Sequence, residues 1–186
     1  ATTESSLKHS YKQLAKMGWN PKIIEMGHFE TDEEYVIPLT KSIQPHIDED
    51  THLLFSYHGL PVSHVKRIDK TKSHCQKIDN CCAIKKEANE LCYGHHCMET
   101  THTVVGLLGL KPDQWSISYQ SRIGPVKWLE PSTTNKIEEL VKRGVKKIAI
   151  VAPAFLADGL ETLEELDIGI REHFTELGGE ELTVVK

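Results

Sequence analysis

The sequence predicts an α/β domain whose sheet is doubly wound and mostly parallel. Segments with the apolar pattern of strands alternate with segments of helical periodicity along a chain of 186 residues. The segment HLLFSY at 52–57 is almost continuously apolar, as is typical of strands buried on both faces of a parallel sheet. Ligands in such sheets bind beyond the carboxyl ends of the strands, so the residues that follow each strand are the candidates for function.

The first half of the chain predicts four elements. Residues 3–17 predict a helix, because apolar residues recur there at helical spacing and a glycine follows. The segment KIIEMG at 22–27 predicts a short strand. Residues 32–47 predict a second helix, which two prolines bend or shorten. The buried strand at 52–57 comes next.

The second half continues the alternation. Residues 98–108 predict a helix that ends near a glycine, and QWSISYQ at 114–120 predicts a strand. The segment at 131–144 has a proline and a serine at its start, helical periodicity and a final glycine. KKIAIVAPAF at 146–155 predicts a strand, residues 160–177 predict a helix, and the final ELTVVK predicts the beginning of another strand.

The composition excludes several classes of protein. Hydrophobic residues make up 39% of the chain, which suffices for one domain with a substantial core. The sequence shows no apolar run long enough to cross a bilayer and no secretory signal, so we expect a cytoplasmic protein. A net charge of −5 argues against nucleic-acid binding. The chain starts without methionine and ends on an apolar run, so we expect it to be part of a longer protein.

His58 is the first candidate for chemistry. It follows the strand at 52–57 and precedes the turn Gly59-Leu60-Pro61, which would hold the imidazole at the mouth of the sheet. Imidazole there can accept a proton near neutral pH or bind a metal. The alternative is a histidine that merely ends a strand.

An acidic helix is the second candidate. The sequence DGLETLEELDIGIREHF places Glu161, Glu165 and Glu172 on one helical face, and Asp158 precedes the helix as a possible cap. These carboxylates could lead protons or a cation toward a pocket. The alternative is a solvated acidic face.

A polar and aromatic loop is the third candidate. The sequence YQSRIGPVKWLEP at 119–131 combines Tyr119, Gln120, Ser121, Arg122 and Trp128, which could line an apolar pocket with a cationic rim. The alternative is an ordinary crossover loop. The sequence lacks a P-loop and a GxGxxG motif, which weakens a nucleotide-binding interpretation.

All five cysteines lie between residues 73 and 97, and they are Cys75, Cys81, Cys82, Cys92 and Cys97. Disulfides are disfavoured because the chain shows no sign of secretion. Structural zinc fits the ligand types, since His74, His95 and His96 could complete a site, but the spacing fits loosely. An iron–sulfur cluster needs four thiolates, usually on a loop, and this segment can supply them.

Taken together in this order, three motifs resemble the ferrochelatase family, which inserts ferrous iron into porphyrin in haem biosynthesis with release of two protons. They are LLFSYHGLP, YQSRIGPVKWLEPST and PAFLADGLETLEELD. The likeness covers nearly the whole chain apart from about residues 70–95. It implies two α/β lobes across a porphyrin cleft. Residues 1–186 would form the C-terminal lobe, with a cysteine-rich insertion at about 70–97, and the N-terminal lobe and extreme C-terminus would be absent.

The resemblance also implies roles for individual residues. His58 and Glu161 match the catalytic positions and the metal-binding positions, and Asp158 and Glu165 match further acids on the path of the iron. The matched porphyrin-binding residues are Tyr57, Tyr119, Gln120, Ser121 and Trp128.

Some ferrochelatases carry a [2Fe–2S] cluster, so the resemblance favours a cluster in the cysteine segment. We expect Cys75, Cys82, Cys92 and Cys97 to bind it, with Cys81 as the alternative ligand, in a role other than catalysis. The expected partners are porphyrin and ferrous iron, and peripheral contact with the inner face of the membrane stays open. The alternatives are a related chelatase for another metal, or a regulatory domain without enzymatic activity that binds zinc or a cluster. An isolated lobe should be inactive.

Overall fold

Four parallel strands form one sheet in the computed structural model, which describes residues 2–186, with side chains from Ser5 onward. The strands are β1 (Thr51–His58), β2 (Trp115–Gln120), β3 (Lys147–Val151) and β4 (Glu181–Val184). Their order in the sheet is β2–β1–β3–β4. β1 pairs in parallel with both β2 and β3, and β3 pairs in parallel with β4. The predicted α/β class is therefore confirmed.

Helices precede and connect the strands. They are α1 (Thr2–Lys16), α2 (Glu33–Ile43), α3 (Val62–Lys66), α4 (Tyr93–Leu108), α5 (Thr133–Lys142) and α6 (Arg171–Glu176). A π-helix over Glu161–Ile170 runs directly into α6, and short 3₁₀ turns lie at Gln44–His46 and Glu87–Asn89. No helix in the described part of the chain is long and apolar enough to cross a membrane.

Each face of the sheet carries its own core, because successive side chains of a strand point to opposite faces. Phe55 of β1 packs in one core with Val36 of α2 and Val104 of α4. Its neighbour Leu54 packs in the other core with residues of α5, the π-helix and α6, namely Ile137, Leu166 and Phe174. Helices thus cover both faces, as the doubly wound prediction requires.

The order of the strands locates a crevice. The chain leaves β1 for β2 on one side, and then crosses to β3 on the other side of β1. In open α/β sheets, ligands bind at the carboxyl ends of strands where the winding direction changes. In this protein that position lies beyond the ends of β1 and β3.

One predicted element is wrong. The segment 22–27 is not a strand, and Ile24 within it is 83% exposed. Apolar residues form a strand only where an edge of a sheet offers backbone partners, and this segment is not part of the sheet.

Two boundaries and one type of helix also differ from the sequence prediction. α4 begins at Tyr93 rather than at residue 98, with Cys92 as its N-cap residue. β3 ends at Val151, ahead of Pro153, which has no N–H for a further ladder hydrogen bond. The predicted helix at 160–177 is π-helical over Glu161–Ile170.

Candidate active site

His58 ends β1 and is half-buried. Its Nδ1 lies 2.7 Å from the carbonyl oxygen of Gly59. Because a carbonyl oxygen only accepts hydrogen bonds, Nδ1 carries the ring proton of the neutral imidazole, and the lone pair is left on Nε2. The ring of Phe155, just beyond β3, lies 6.1 Å away between centroids. His58 thus presents one basic nitrogen at the predicted crevice.

Trp128 packs against the turn that follows His58. Trp128 and Pro61 form an isolated antiparallel bridge. A Cβ added to Gly59 would lie 2.7 Å from the carbonyl oxygen of Gln120 and 3.4 Å from the Trp128 ring. Only glycine fits this close approach of chain segments. The structure therefore packs the turn after His58 against the end of β2 and against Trp128.

Gln120 is the register partner of His58 at the end of β2. Its Oε1 accepts a hydrogen bond of 2.5 Å from Ser56, whose hydroxyl also contacts Thr133 of α5 at 2.8 Å. The side chain is only 2% exposed, and its Nε2 has no hydrogen-bond partner among the described residues. An unpaired buried donor costs free energy, so this amide favours an acceptor.

Ser121 follows β2 with a left-handed backbone, at a φ of 62°. Its N–H donates to Oε1 of Glu165 at 2.7 Å, and its hydroxyl donates to Oε2 at 2.6 Å. Both oxygens of Glu165 are thus used to hold the end of β2 against the π-helix. Hydrogen bonds to an ionised carboxylate are among the stronger ones in proteins.

Asp158 precedes the π-helix. Its Oδ1 accepts a hydrogen bond of 2.9 Å from the hydroxyl of Thr162, which in turn accepts one of 3.0 Å from the Gly159 N–H. A Cβ at Gly159 would come within 3.0 Å of Oε2 of Glu161. This short distance places the Glu161 carboxylate beside the turn that Asp158 and Thr162 hold.

A cavity of about 630 Å³ opens between the end of β2 and the π-helix. Its lining includes Ser121, Glu161 and Glu165. Ile123 and Leu160 also line it, and their side chains are 81% and 74% exposed. The cavity therefore combines carboxylates with an apolar rim.

The cavity does not gather every predicted site residue. His58 lies outside its lining, at the end of the neighbouring strand β1. Glu172, which helical spacing placed on the face of Glu161, lies exposed in α6. The wider turn of the π-helix changes the spacing on which that prediction depended.

Tyr57 and Tyr119 lie elsewhere. Both are buried in the core on the α4 side of the sheet, with 3% and 6% of their surface exposed. The hydroxyl of Tyr57 is 2.9 Å from that of Thr101 on α4. Burial raises the pKa of both phenols well above the ordinary value. This placement favours a packing role beneath the site.

The cysteine segment is organised around one buried carboxylate. Asp69 accepts hydrogen bonds from the hydroxyl of Thr71 at 2.6 Å and from the backbone N–H groups of His74 and Cys75 at 2.9 Å each. The Thr71 hydroxyl and these amides hold the pKa of Asp69 well below its usual range. This hub fixes the backbone at the first cysteine, and the sequence offered only a common Asp-x-Thr spacing to suggest it.

Two histidines of this segment form hydrogen bonds with backbone carbonyls of the cysteines. Nε2 of His74 lies 2.8 Å from the Cys81 carbonyl, to which Asn89 also donates at 3.0 Å. Nδ1 of His95 lies 2.7 Å from the Cys82 carbonyl. If His74 and His95 completed a zinc site through these nitrogens, each would lose its hydrogen bond to a backbone carbonyl.

The thiols of Cys75, Cys81, Cys82 and Cys92 influence one another. The sulfurs of Cys81 and Cys82 are 4.0 Å apart. A hydrogen bond from the Cys82 thiol, with the N–H groups of His95 and Gly94, lowers the pKa of Cys92 below its ordinary value. Burial raises the pKa of Cys75 to about 11, and the charges of Cys92 and Cys81 add to the effect.

Gly94 makes room for this group of thiols, since a Cβ there would lie 2.9 Å from the Cys82 sulfur.

Cys97 has a different environment. It is 3% exposed within the core, and it pairs with the Tyr93 hydroxyl. Burial is the main reason that the pKa of Cys97 is raised. Cys75, Cys81, Cys82 and Cys92 thus perturb one another, whereas Cys97 lies in the same core as Cys75 and Cys92 and is hydrogen-bonded to Tyr93.

Comparison with known proteins supplies the family. The ferrochelatase family model matches residues 1–186. A ferrochelatase of Stutzerimonas stutzeri is 39% identical over 187 residues, which cover 100% of this chain and 55% of that protein. A ferrochelatase of Pseudomonas fluorescens is 38% identical over the same shares. One of Pseudomonas savastanoi is 41% identical over 158 residues, which cover 84% of this chain and 46% of that protein. The chain spans about half the length of the curated relatives it matches.

Proposed function

The chain belongs to the ferrochelatase family, and from this premise we propose that it is the C-terminal lobe of an enzyme that inserts ferrous iron into a porphyrin. The reaction exchanges two pyrrole N–H protons for one divalent cation. The site must therefore accept protons and deliver a cation stripped of its water. A second lobe would close the porphyrin cleft, so the isolated lobe should be inactive.

The observation that carries this proposal is that His58 and the carboxylate cavity lie at the carboxyl ends of two neighbouring strands, β1 and β2. The Nδ1–H of His58 points at the Gly59 carbonyl, so the lone pair of Nε2 can accept a pyrrole proton or bind the incoming iron. Glu161, in the cavity at the start of the π-helix, is the complementary acid or metal carrier.

The remaining acids take lesser roles in the proposal. Ser121 occupies both oxygens of Glu165, so Glu165 positions the loop that follows β2 and has only its remaining lone pairs for a cation. Asp158 is exposed and accepts from Thr162, so it can meet hydrated iron at the outer end of the path.

The porphyrin itself would bind through both polar and apolar groups. The exposed side chains of Ile123, Leu156 and Leu160 suit a flat apolar macrocycle. Nε2 of Gln120 and Nε1 of Trp128 are buried donors without a partner among the described residues, so these side chains would have to turn outward on binding to donate to the acidic side chains of the substrate. Tyr57 and Tyr119 would support this surface from behind rather than contact the ring.

Porphyrin metallation by the full-length protein tests the proposal. Fe²⁺, Co²⁺ and Zn²⁺ are compared side by side under anaerobic conditions. His58→Ala and Glu161→Gln should each abolish insertion, whereas His64→Ala, which changes an exposed histidine, should leave the rate unchanged. Near-normal turnover of His58→Ala would refute its assignment, and selective insertion of another metal would favour a related chelatase.

We further propose that the cysteine segment binds a [2Fe–2S] cluster. In a tetrahedral zinc site the sulfurs lie about 3.8 Å apart. Among the described residues, no three thiols come within 4.8 Å of one another, whereas a cluster spreads its four thiolates over two irons. The ligand set that the contacts favour is Cys75, Cys81, Cys82 and Cys92, with Cys81 in the place first expected for Cys97. The bound group would stabilise this segment rather than take part in iron insertion.

Iron and sulfide analysis with visible absorption of the purified protein tests the cluster. Cys81→Ser should lose the absorption, and Cys97→Ser should retain it. A colourless protein with stoichiometric zinc would contradict the proposal. If Cys81→Ser retained the absorption and Cys97→Ser lost it, the ligands would be Cys75, Cys82, Cys92 and Cys97, as predicted from the sequence.

A further inference from the structure

His28, Glu30 and His96 form a second cluster of potential ligands outside the cavity, and His96 directly precedes Cys97 in the chain. One ligand atom of each lies within 4.8 Å of the other two. We propose that these three side chains bind a divalent transition-metal ion of the Zn²⁺ or Fe²⁺ class. Two histidines and one carboxylate are a ligand set that holds such ions and leaves coordination positions open.

The spacing of the ligand atoms suits one ion. Nε2 of His96 lies 3.5 Å from Oε1 of Glu30. Two ligands that bind a tetrahedral ion at about 2.1 Å lie about 3.4 Å apart, so this pair needs almost no adjustment. The rings of His28 and His96 are 4.7 Å apart between centroids. His28 is exposed, so its side chain has room to move the remaining distance and the site is open to solvent ions.

The backbone around these ligands is tied down. The hydroxyl of Thr100, one turn after His96 on α4, donates to the Glu30 carbonyl at 2.9 Å. The ring of Phe29, between the other two ligands in sequence, packs edge-on against Tyr35 of α2 at 5.4 Å. Two contacts thus fix the loop before α2 against both helices. A held backbone reduces the entropy that metal binding must overcome.

Binding requires one exchange at His96. Its Nε2 is also 2.7 Å from the Glu90 carbonyl oxygen. Because that oxygen only accepts, Nε2 carries a proton in this arrangement. The ion takes the place of that proton, Nδ1 takes up a proton in exchange, and the ring therefore stays neutral. The carboxylate of Glu30 then balances part of the charge of the ion.

The test uses the full-length protein after treatment with a chelator, with Zn²⁺ as the probe in calorimetric titrations. The variants are His28→Asn and Glu30→Gln, which alter exposed or half-exposed loop side chains and leave α4 intact. His64→Asn is the control, because it removes an exposed histidine elsewhere. Co²⁺ provides a second readout, since thiolate ligands give intense charge-transfer absorption that nitrogen and oxygen ligands lack.

We expect wild type and His64→Asn to bind one Zn²⁺ ion at this site with the same affinity. His28→Asn and Glu30→Gln should bind that ion at least about tenfold more weakly. The Co²⁺ spectrum of that site should show ligand-field bands without thiolate charge transfer. Equal stoichiometry and affinity in all four proteins would overturn the proposal, and so would a Co²⁺ spectrum of thiolate character alone. These readouts do not depend on porphyrin metallation, so the site and the proposed function can fail separately.

Discussion

The hydroxyl of Tyr93 donates a hydrogen bond of 2.9 Å to the backbone carbonyl of His58. Tyr93 is the first residue of α4 and directly follows Cys92. The same hydroxyl pairs with Cys97. One side chain therefore joins the cysteine segment to the strand end that carries the candidate base, and it is a positioning residue for His58.

Tyr93→Phe should lower kcat without a matching rise in KM. Loss of one hydrogen bond of about 1 kcal/mol corresponds to about fivefold in rate if it loosens His58 in the transition state. Steady-state metallation by the full-length enzyme measures this split. Tyr11→Phe, at an exposed phenol of α1, is the matched control. If Tyr93→Phe lowers kcat only as far as it lowers stability, leaves the pH profile of the reaction unchanged and so behaves like Tyr11→Phe, then Tyr93 only packs.

Gly94→Ala should disrupt the cysteine site. The new methyl group would lie 2.9 Å from the Cys82 sulfur, closer than the two atoms can approach. Gly106→Ala in the same helix meets nothing within 4 Å and should stabilise the protein by about 1 kcal/mol through helix propensity. Iron content and thermal unfolding are measured for both. Normal iron content in Gly94→Ala would show that Cys82 is not a ligand in the arrangement described.

Glu165→Gln should cost more than Ser121→Ala. The carboxylate accepts charge-assisted hydrogen bonds from both the N–H and the hydroxyl of Ser121, whereas the amide offers two weaker neutral bonds, one of which requires the hydroxyl to turn and accept. The expected losses in unfolding free energy are about 2 kcal/mol and about 1 kcal/mol. Chemical denaturation of the two variants measures them. Equal losses would mean that the backbone contact contributes nothing.

His52 should make stability depend on pH. Burial, with the charges of Arg143 and Lys136, lowers its pKa from 6.5 to about 4. The unfolded chain therefore binds a proton that the folded chain does not, and the free energy of unfolding falls as pH drops from about 6.5 to about 4. The loss is about 3 kcal/mol at the lower end of this range.

His52→Gln should remove this part of the pH dependence while retaining a partner for Ser116, which lies 2.5 Å from the His52 ring nitrogen. His64→Gln, at an exposed position, should retain it. Denaturation curves between pH 4 and pH 7 test both variants. Superimposable wild-type and His52→Gln profiles would contradict the assigned cause.

Particular elements show where sequence reasoning succeeded. Long periodic segments such as α5 and the apolar strand β1 were predicted because burial imposes their residue pattern directly. The segment 22–27 had an equally apolar pattern, but whether it joins a sheet depends on an edge that only the folded chain provides. The π-helical turn of Glu161–Ile170 was missed because side-chain spacing within the segment allows both kinds of helix.

The site divides in the same way. Sequence motifs by themselves predicted His58, Glu161, Gln120 and the five cysteines as candidate site residues, because those residue types in that order resemble one family. Only the tertiary structure decided which of them meet. It paired Ser121 with Glu165, turned Tyr57 and Tyr119 into the core on the α4 side of the sheet, and hydrogen-bonded Cys97 to Tyr93 within that core. The physical reason is that sequence sets the chemistry of each side chain, whereas the packing of sheet and helices sets the face on which it lies.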